Sequence, residues 1–367
     1  MPVYARHLFG PGPSNPYPEA TAALGLPLLG HLDPEFLRIL DETCDRLRAV
    51  FGTSNVRTLP LSGTGSAGME AAFVNSVGPG DVVVVAANGL FGERMIDVAG
   101  RCGAEVVPVR FDWGTPVDPD VVLAAHPDPK LIAVVHAETS TGVRNDVAAL
   151  SAARDGQCPD ALLLMDCVTS VGGIEVAVDG WGVDIAYAGT QKCLGVAPGL
   201  APFSFGERAW QRRVERPRSW YLDLNLLGGY VGAAAGQRGR TYHHTAPVAM
   251  VASLHAGLGR ILDEGLDAVV ARHHEAGRAL QDGLGDLGLE LFAAEGHRLP
   301  ELTAVVVPSD VDSAAIRHRL LEHYDIEIGA GAGQYADRVW RIGLMGHNAR
   351  PDAVALVLSA LREVLKR

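Results

Sequence analysis

The chain has 367 residues, enough for about two domains with a sizeable core, which excludes a miniature scaffold. Hydrophobic residues make up 48% and charged residues 20%, which fits neither a disordered nor a fibrous chain. Thirty-one basic against forty-three acidic side chains leave a net charge of -12, a field that repels nucleic acid and anionic membranes.

In chain order, the first fifteen residues read as an arm. Asp33 to Val50 then places Phe36, Leu37, Leu40, Cys44 and Leu47 at helical spacing, with Asp33-Pro34 as N-cap and first-turn pair. A glycine-rich turn leads into an apolar helix from Ala67 to Ser76. Short apolar runs, most of them with β-branched residues, recur at Val82–Ala86, Glu105–Val109, Leu131–His136, Ala161–Asp166, Ile185–Ala188 and Ala201–Phe205. Helical patterns fall between most of them, near Gly92–Arg101, Pro119–Ala125 and Val147–Arg154. Near-continuous apolar strands alternating with helices predict an α/β fold with a mainly parallel sheet flanked by helices. Past residue 245 the pattern changes to long helices (Val248–Leu262, Leu266–Leu287), then strands Leu302–Val307 and Val339–Leu344 around the helix Ser313–His323, and a last helix Asp352–Leu365. This predicts an arm (1–15), a large domain (16–263) and a smaller C-terminal α+β domain (264–367).

Cys44, Cys102, Cys158, Cys167 and Cys193 form no C-x-x-C pair and are odd in number, so free thiols in a reducing compartment are expected. The N-terminal segment has no signal-peptide pattern and no window reaches eighteen uninterrupted apolar residues; the expectation is a soluble, cytoplasmic protein.

Three segments carry candidate chemistry. Gly63-Thr64-Gly65-Ser66-Ala67-Gly68 matches G-x-G-x-x-G before a helix. A dinucleotide site needs a clear strand before it and an acid about twenty residues on. The preceding Arg57–Ser62 run contains Pro60 and reads as a poor strand, and the next strand ends without an acid. A phosphate site built from free N–H groups at a helix N-terminus remains, alongside a purely structural turn. Asp166 ends an apolar run, where a parallel strand presents groups to ligands; it could equally cap a helix. Lys192 follows the strand Ile185–Ala188, as a snorkelling surface residue or as an amine of lowered pKa suited to carbonyl chemistry. An aspartate for a pyridinium nitrogen, a lysine for an aldehyde and a phosphate cradle are together the parts needed to hold pyridoxal 5'-phosphate.

With GPGPSN at 10–15, SGTGSAGMEAA at 62–72, ANGLFGER at 87–94, HAETSTGV at 136–143, LLLMDCVTSVGG at 162–173, YAGTQKCLGVAPG at 187–199, YHHTAPV at 242–248 and VWRIGLMG at 339–346, the chain resembles a class V aminotransferase of fold type I, in the alanine–glyoxylate and serine–pyruvate aminotransferase group. The resemblance implies that Lys192 is the Schiff-base lysine and Asp166 the partner of the pyridine nitrogen. Phe91 would stack on one ring face, where close relatives often carry Trp, with Val168 on the other face and Thr139 near the ring oxygen. Thr64, Gly65, Ser66 and Gln191 would form the phosphate cup. Tyr242 and Thr245 match residues that reach the phosphate from a neighbouring subunit, which implies a homodimer with shared sites. Arg341 would clamp the substrate carboxylate, with Pro11, Gly12 and Leu28–Leu32, His31 among them, as candidates for the substrate wall.

From the residues alone, Arg341 in an apolar run needs an anion, either a substrate carboxylate or an internal acid. His243-His244 lacks a third ligand for a metal site. Cys193 reads as a small buried filler rather than a nucleophile.

The expected reaction is transamination from a small amino acid, alanine or serine, to a small 2-oxo acid such as glyoxylate or pyruvate. Ureidoglycine–glyoxylate or aspartate–glyoxylate exchange, a cysteine desulfurase-like lyase and an NAD-dependent oxidoreductase are the alternatives. Gln191 stands where the lyases usually have His.

Overall fold

The computed structural model describes residues 5–231 and 240–366. The chain opens with a two-residue strand β1 (His7–Leu8), a short helix α1 (Pro18–Ala23) and the long α2 (Pro34–Phe51). As the sequence predicts, the Asp33 side chain accepts the Glu35 N–H and Pro34 occupies the first turn of α2, while Gly52 ends it in a left-handed conformation. The segments that follow are β2 (Arg57–Ser62), α3 (Gly65–Ser76), β3 (Val82–Ala87), α4 (Leu90–Arg101), β4 (Glu105–Arg110), α5 (Pro119–Ala124) and β5 (Leu131–Val135). A small hairpin of β6 (Ala137–Glu138) and β7 (Val143–Arg144) precedes α6 (Val147–Gln157), β8 (Leu162–Asp166), β9 (Ile185–Tyr187) and β10 (Leu200–Phe205), then the short α7 (Glu207–Gln211) and α8 (Leu224–Leu227).

Among the described residues the central sheet has seven strands in the order β2-β10-β9-β8-β5-β3-β4. β3, β4, β5, β8 and β9 pair in parallel, whereas β10 runs antiparallel to both of its neighbours. Every residue of β5 and β8 is buried, as a sheet covered on both faces requires. α3 packs directly on the sheet because its residues are small: a Cβ at Gly68 would lie 3.0 Å from the Tyr187 Cβ and 3.3 Å from that of Ala201.

One expectation fails. Arg57–Ser62 is a full strand despite Pro60, because β2 is the sheet edge and bonds only to β10, where Pro60 faces Pro202. An edge strand tolerates a residue without an N–H. The same topology removes the dinucleotide reading for a stronger reason than the missing acid. Four strands separate β2 from β3, so the glycine turn does not belong to an adjacent βαβ unit.

The C-terminal third comprises α9 (Val248–Glu264), α10 (Leu266–Asp286), β11 (Leu302–Val306), α11 (Ser313–Tyr324), β12 (Ile326–Glu327), β13 (Gly329–Ala330), β14 (Val339–Gly343) and α12 (Pro351–Leu365). β11, β14 and β13 form an antiparallel sheet against a second apolar cluster that includes Leu280, Leu284, Leu320, Trp340, Val357 and Leu361. α10 spans both cores, with Val269 in the first and Ala276 to Leu284 in the second, and we propose the domain boundary near the 263/264 junction just before it. The arm joins the second core: β1 pairs in parallel with β12, and Phe9 is fully buried there. All five cysteines are free and buried. No helix among the described residues is long and apolar enough to cross a membrane.

Candidate active site

The C-terminal ends of β5, β8 and β9 open into a cleft lined by Thr64, Gly65, Ser66, Phe91, Arg94, Thr139, Asp166, Val168, Tyr187, Gln191 and Lys192. Brought together there are the cofactor-site residues expected from within one chain, while Arg341 and Gly12 are not among the residues that line it. Strand ends supply Asp166, and the turn after β9 supplies Gln191 and Lys192. The first turns of α3 and α4 supply Gly65 and Phe91.

Asp166 is buried, with Oδ1 accepting the Val168 N–H at 2.9 Å and Oδ2 accepting the Tyr187 hydroxyl at 2.8 Å. Burial pushes its pKa up to about 6 against the opposing pull of those hydrogen bonds and of the Lys192 and Arg94 charges. Lys192 is buried too. Desolvation, then the Arg341 charge, pushes its pKa down to about 8, which leaves a minor but usable share of free amine at neutral pH, far more than an exposed lysine has. Its Nζ donates to the Pro11 carbonyl. Gly12 lies so close that an added Cβ would meet Nζ at 2.5 Å, and its φ of +108° also demands glycine. The arm therefore forms one wall of the lysine's channel.

At the N-terminus of α3 the N-cap Thr64 side chain makes no capping bond, and Gly65 and Ser66 have no backbone acceptor among the described residues. A Cβ at Gly65 would lie 2.9 Å from Val168 Cγ2, so the glycine leaves space over that side chain. The Gln191 Oε1 is buried without a partner among the described residues. Free N–H donors at a helix start suit an anion such as a phosphate. On the opposite side, Thr139 Oγ1 lies 2.6 Å from Thr169 Oγ1.

Arg341 sits in β14 between Trp340 and Ile342. Those two point into the second core, so strand alternation turns Arg341 toward the cleft. Its Nε donates to the Ala330 carbonyl at 2.7 Å and a terminal nitrogen to the Thr139 carbonyl at 3.4 Å. Among the described residues no carboxylate lies within 4.0 Å of it, which removes the internal ion pair as its explanation; burial lowers its pKa and the Glu138 field opposes that.

Tyr187, Thr169, Arg94 and Met69 were not anticipated. A tyrosine and a methionine inside apolar segments read as core, and only the register of β9 against β8 puts the Tyr187 hydroxyl on Asp166. Tyr242 and Thr245 lie outside the cleft of their own chain; Tyr242 is 58% exposed, and Thr245 borders an apolar groove with Leu28 and His31. Cys193 is buried and burial pushes its thiol pKa well up, as suits a filler.

A lysine of lowered pKa, a buried carboxylate, an anion site at a helix N-terminus and an arginine without an acid fit an anionic carbonyl cofactor and a carboxylate substrate. The model of the family described as "Aminotransferase class-V" matches residues 17–348. The chain is 38% identical to an alanine–glyoxylate aminotransferase of Drosophila melanogaster, covering 100% of this chain and 94% of that protein. It is 35% identical to a (S)-ureidoglycine–glyoxylate transaminase of Bacillus subtilis (strain 168), covering 99% and 91%. The crystal structure of an alanine–glyoxylate aminotransferase from Nostoc sp. superposes with a TM-score of 0.94 at 43% identity, covering 100% of this chain and 96% of that one. The chain belongs to the class V aminotransferases. It has the fold type I architecture, it is a transaminase, and its cofactor is pyridoxal 5'-phosphate.

Proposed function

We propose that the enzyme moves the amino group of alanine or serine to glyoxylate or pyruvate, with Lys192 as the amine that carries the cofactor. The observation that carries this reading is the convergence on one cleft of Lys192, Asp166, the uncapped start of α3, and an Arg341 that has no acid of its own. Amino acid to glyoxylate exchange is what the relatives share; their donors differ, so the donor is our assignment.

When bound, pyridoxal phosphate supplies an aldehyde and an electron-withdrawing ring. The backbone N–H groups of Gly65 and Ser66, with Thr64 and Gln191, hold its phosphate. Asp166, oriented by Tyr187 and Val168, holds the proton on the ring nitrogen. Phe91 and Val168 would hold the ring between them, and the Thr139 hydroxyl would be available to it. Arg341 accepts the α-carboxylate of donor and acceptor in turn, which aims the substrate Cα at Lys192. The Lys192 Nζ, when unprotonated, takes the Cα proton and returns it on the other side of the transfer. Gly12 and Pro11 keep the substrate side chain small.

Tyr242 and Thr245 complete the phosphate site of a partner subunit in a homodimer. The exposure of Leu28, Trp220 and Tyr242 on one chain, 75%, 62% and 58%, supports such an interface. Five free buried thiols suit a reducing compartment, and we place the enzyme in the cytoplasm.

A half-reaction screen tests the donor. Holoenzyme is mixed with a panel of amino acids and the visible absorbance followed, then glyoxylate or pyruvate is added. Alanine and serine should bleach the band fastest and the keto acids restore it. A response confined to ureidoglycine or aspartate would reassign the donor.

A further inference from the structure

Beyond the groups that touch the cofactor site, one buried acid joins its two sides. Glu138 is fully buried at the end of β6. Its Oε2 accepts the backbone N–H of Phe91 at 3.2 Å and of Gly92 at 3.3 Å, in the first turn of α4. Its Oε1 accepts the Ser140 N–H at 3.1 Å and the Ser140 hydroxyl at 2.5 Å. The Ser140 Oγ in turn accepts the Leu90 N–H at 2.9 Å.

α4 has no cap from its own N-cap residue, which is Gly89. An added Cβ at Gly89 would overlap the Glu138 carboxyl carbon, so glycine is needed there for space. Glu138 thus caps a helix from a distant segment. Phe91, which lines the cleft, is in that first turn, and Thr139, which lines the other side, is the next residue after Glu138.

We propose that Glu138 is a positioning residue for the cofactor: its carboxylate ties the start of α4 to the β6 end and so sets the gap between Phe91 and Thr139. The four groups around it all donate, and an ionised carboxylate is the side chain that accepts from all of them. Protonation would set an O–H against one of those donors. Facing it are Asp166 at the end of β8, Tyr187 in β9 and Arg341 in β14. Burial, aided by Asp166, pushes its pKa up to about 7 against the Ser140 and Gly92 hydrogen bonds, so its charge state changes near neutral pH.

The proposal rests on the cofactor reading above, and the experiment separates the two. Apoenzyme is titrated with pyridoxal 5'-phosphate between pH 6 and 9, with protein fluorescence reporting affinity and visible circular dichroism reporting the geometry of the bound cofactor. Glu138→Gln keeps the size but turns an amide NH2 toward a donor pair. It should weaken cofactor affinity about 10-fold, the cost of one lost charged hydrogen bond, reduce the visible dichroism, and lack the change in dichroism expected of the native protein between pH 6 and 8. Ser140→Ala, which removes one donor and the Leu90 acceptor, should shift affinity and dichroism in the same direction by a smaller factor, and decides the matter if the Gln variant does not fold. Native affinity, dichroism and pH profile in either folded variant would overturn the proposal. Failure of the native apoenzyme to bind pyridoxal phosphate would instead overturn the cofactor reading.

Discussion

Asp166 and Asp184 are both buried and stand at opposite ends of the same two strands, yet they are treated in opposite ways. Asp184, just before β9, accepts from Arg154 at 3.1 Å and from the Leu163 N–H at 2.8 Å, with Arg208 at 3.7 Å. Arg154 is itself only 2% exposed; its terminal nitrogens also reach the Ala161 and Gly182 carbonyls, Ser151 and, at 2.8 Å, the Asp155 carboxylate, while its Nε has no partner among the described residues. Asp166, at the C-terminal end of β8, accepts only from a backbone N–H and a hydroxyl, and no cation among the described residues lies within 4.0 Å. The charges that build the sheet are closed off within the chain, whereas those of the cleft are left incomplete. Arg341 repeats the contrast against Arg154, since it has carbonyl partners but no acid. Glu301 is a third case: both of its carboxyl oxygens are buried without a partner among the described residues, and burial pushes its pKa up to about 8.

The contrast predicts a divergence between stability and activity. Arg154→Ala leaves the buried Asp184 with only the longer Arg208 contact and the Leu163 N–H, and should lower unfolding free energy by about 3 kcal/mol, measured by urea denaturation. Asp166→Asn should leave apoenzyme stability within about 1 kcal/mol, because no buried ion pair is broken, while turnover falls roughly 100- to 1,000-fold. Equal destabilisation by the two substitutions would erase the distinction. Arg341→Lys keeps the charge but loses the planar fork, so kcat/KM for amino acids should drop roughly 100-fold with little change in cofactor affinity; an unchanged kcat/KM would return Arg341 to a structural role.

Glu301 supplies the smallest effect. Its folded pKa lies above the ordinary 4.5 of a glutamate, so the folded state binds its proton more tightly than the unfolded state. Its penalty is therefore absent below about pH 4.5 and grows as pH rises toward about 8. Glu301→Leu should raise stability at pH 8 by about 1–2 kcal/mol and flatten that pH dependence. A variant that follows the native pH curve would contradict this.

Much of this was legible because period and punctuation agree. The apolar runs that form β3, β5 and β8 are bounded by helical patterns, and the Asp33-Pro34 signal falls on a real helix start. Pro60 misled because a residue pattern does not say which strand lies at a sheet edge. Asp166 at the end of an apolar run, Lys192 just past one and Arg341 inside one stand out in sequence as charges beside the core, which is costly without a purpose. Tyr187, Thr169 and Glu138 do not stand out. Their roles depend on which strand end meets which helix start, and that information is carried by the sheet order rather than by local spacing.

The central claim is that Lys192 carries the cofactor in a cleft left open for it. The most direct measurement is borohydride reduction of the holoenzyme followed by peptide mapping. A phosphopyridoxyl group on the peptide that contains Lys192, with Lys192→Ala protein unlabelled, is the expected result. Label on Lys130 or another lysine, or native labelling of the Lys192→Ala protein, would contradict it.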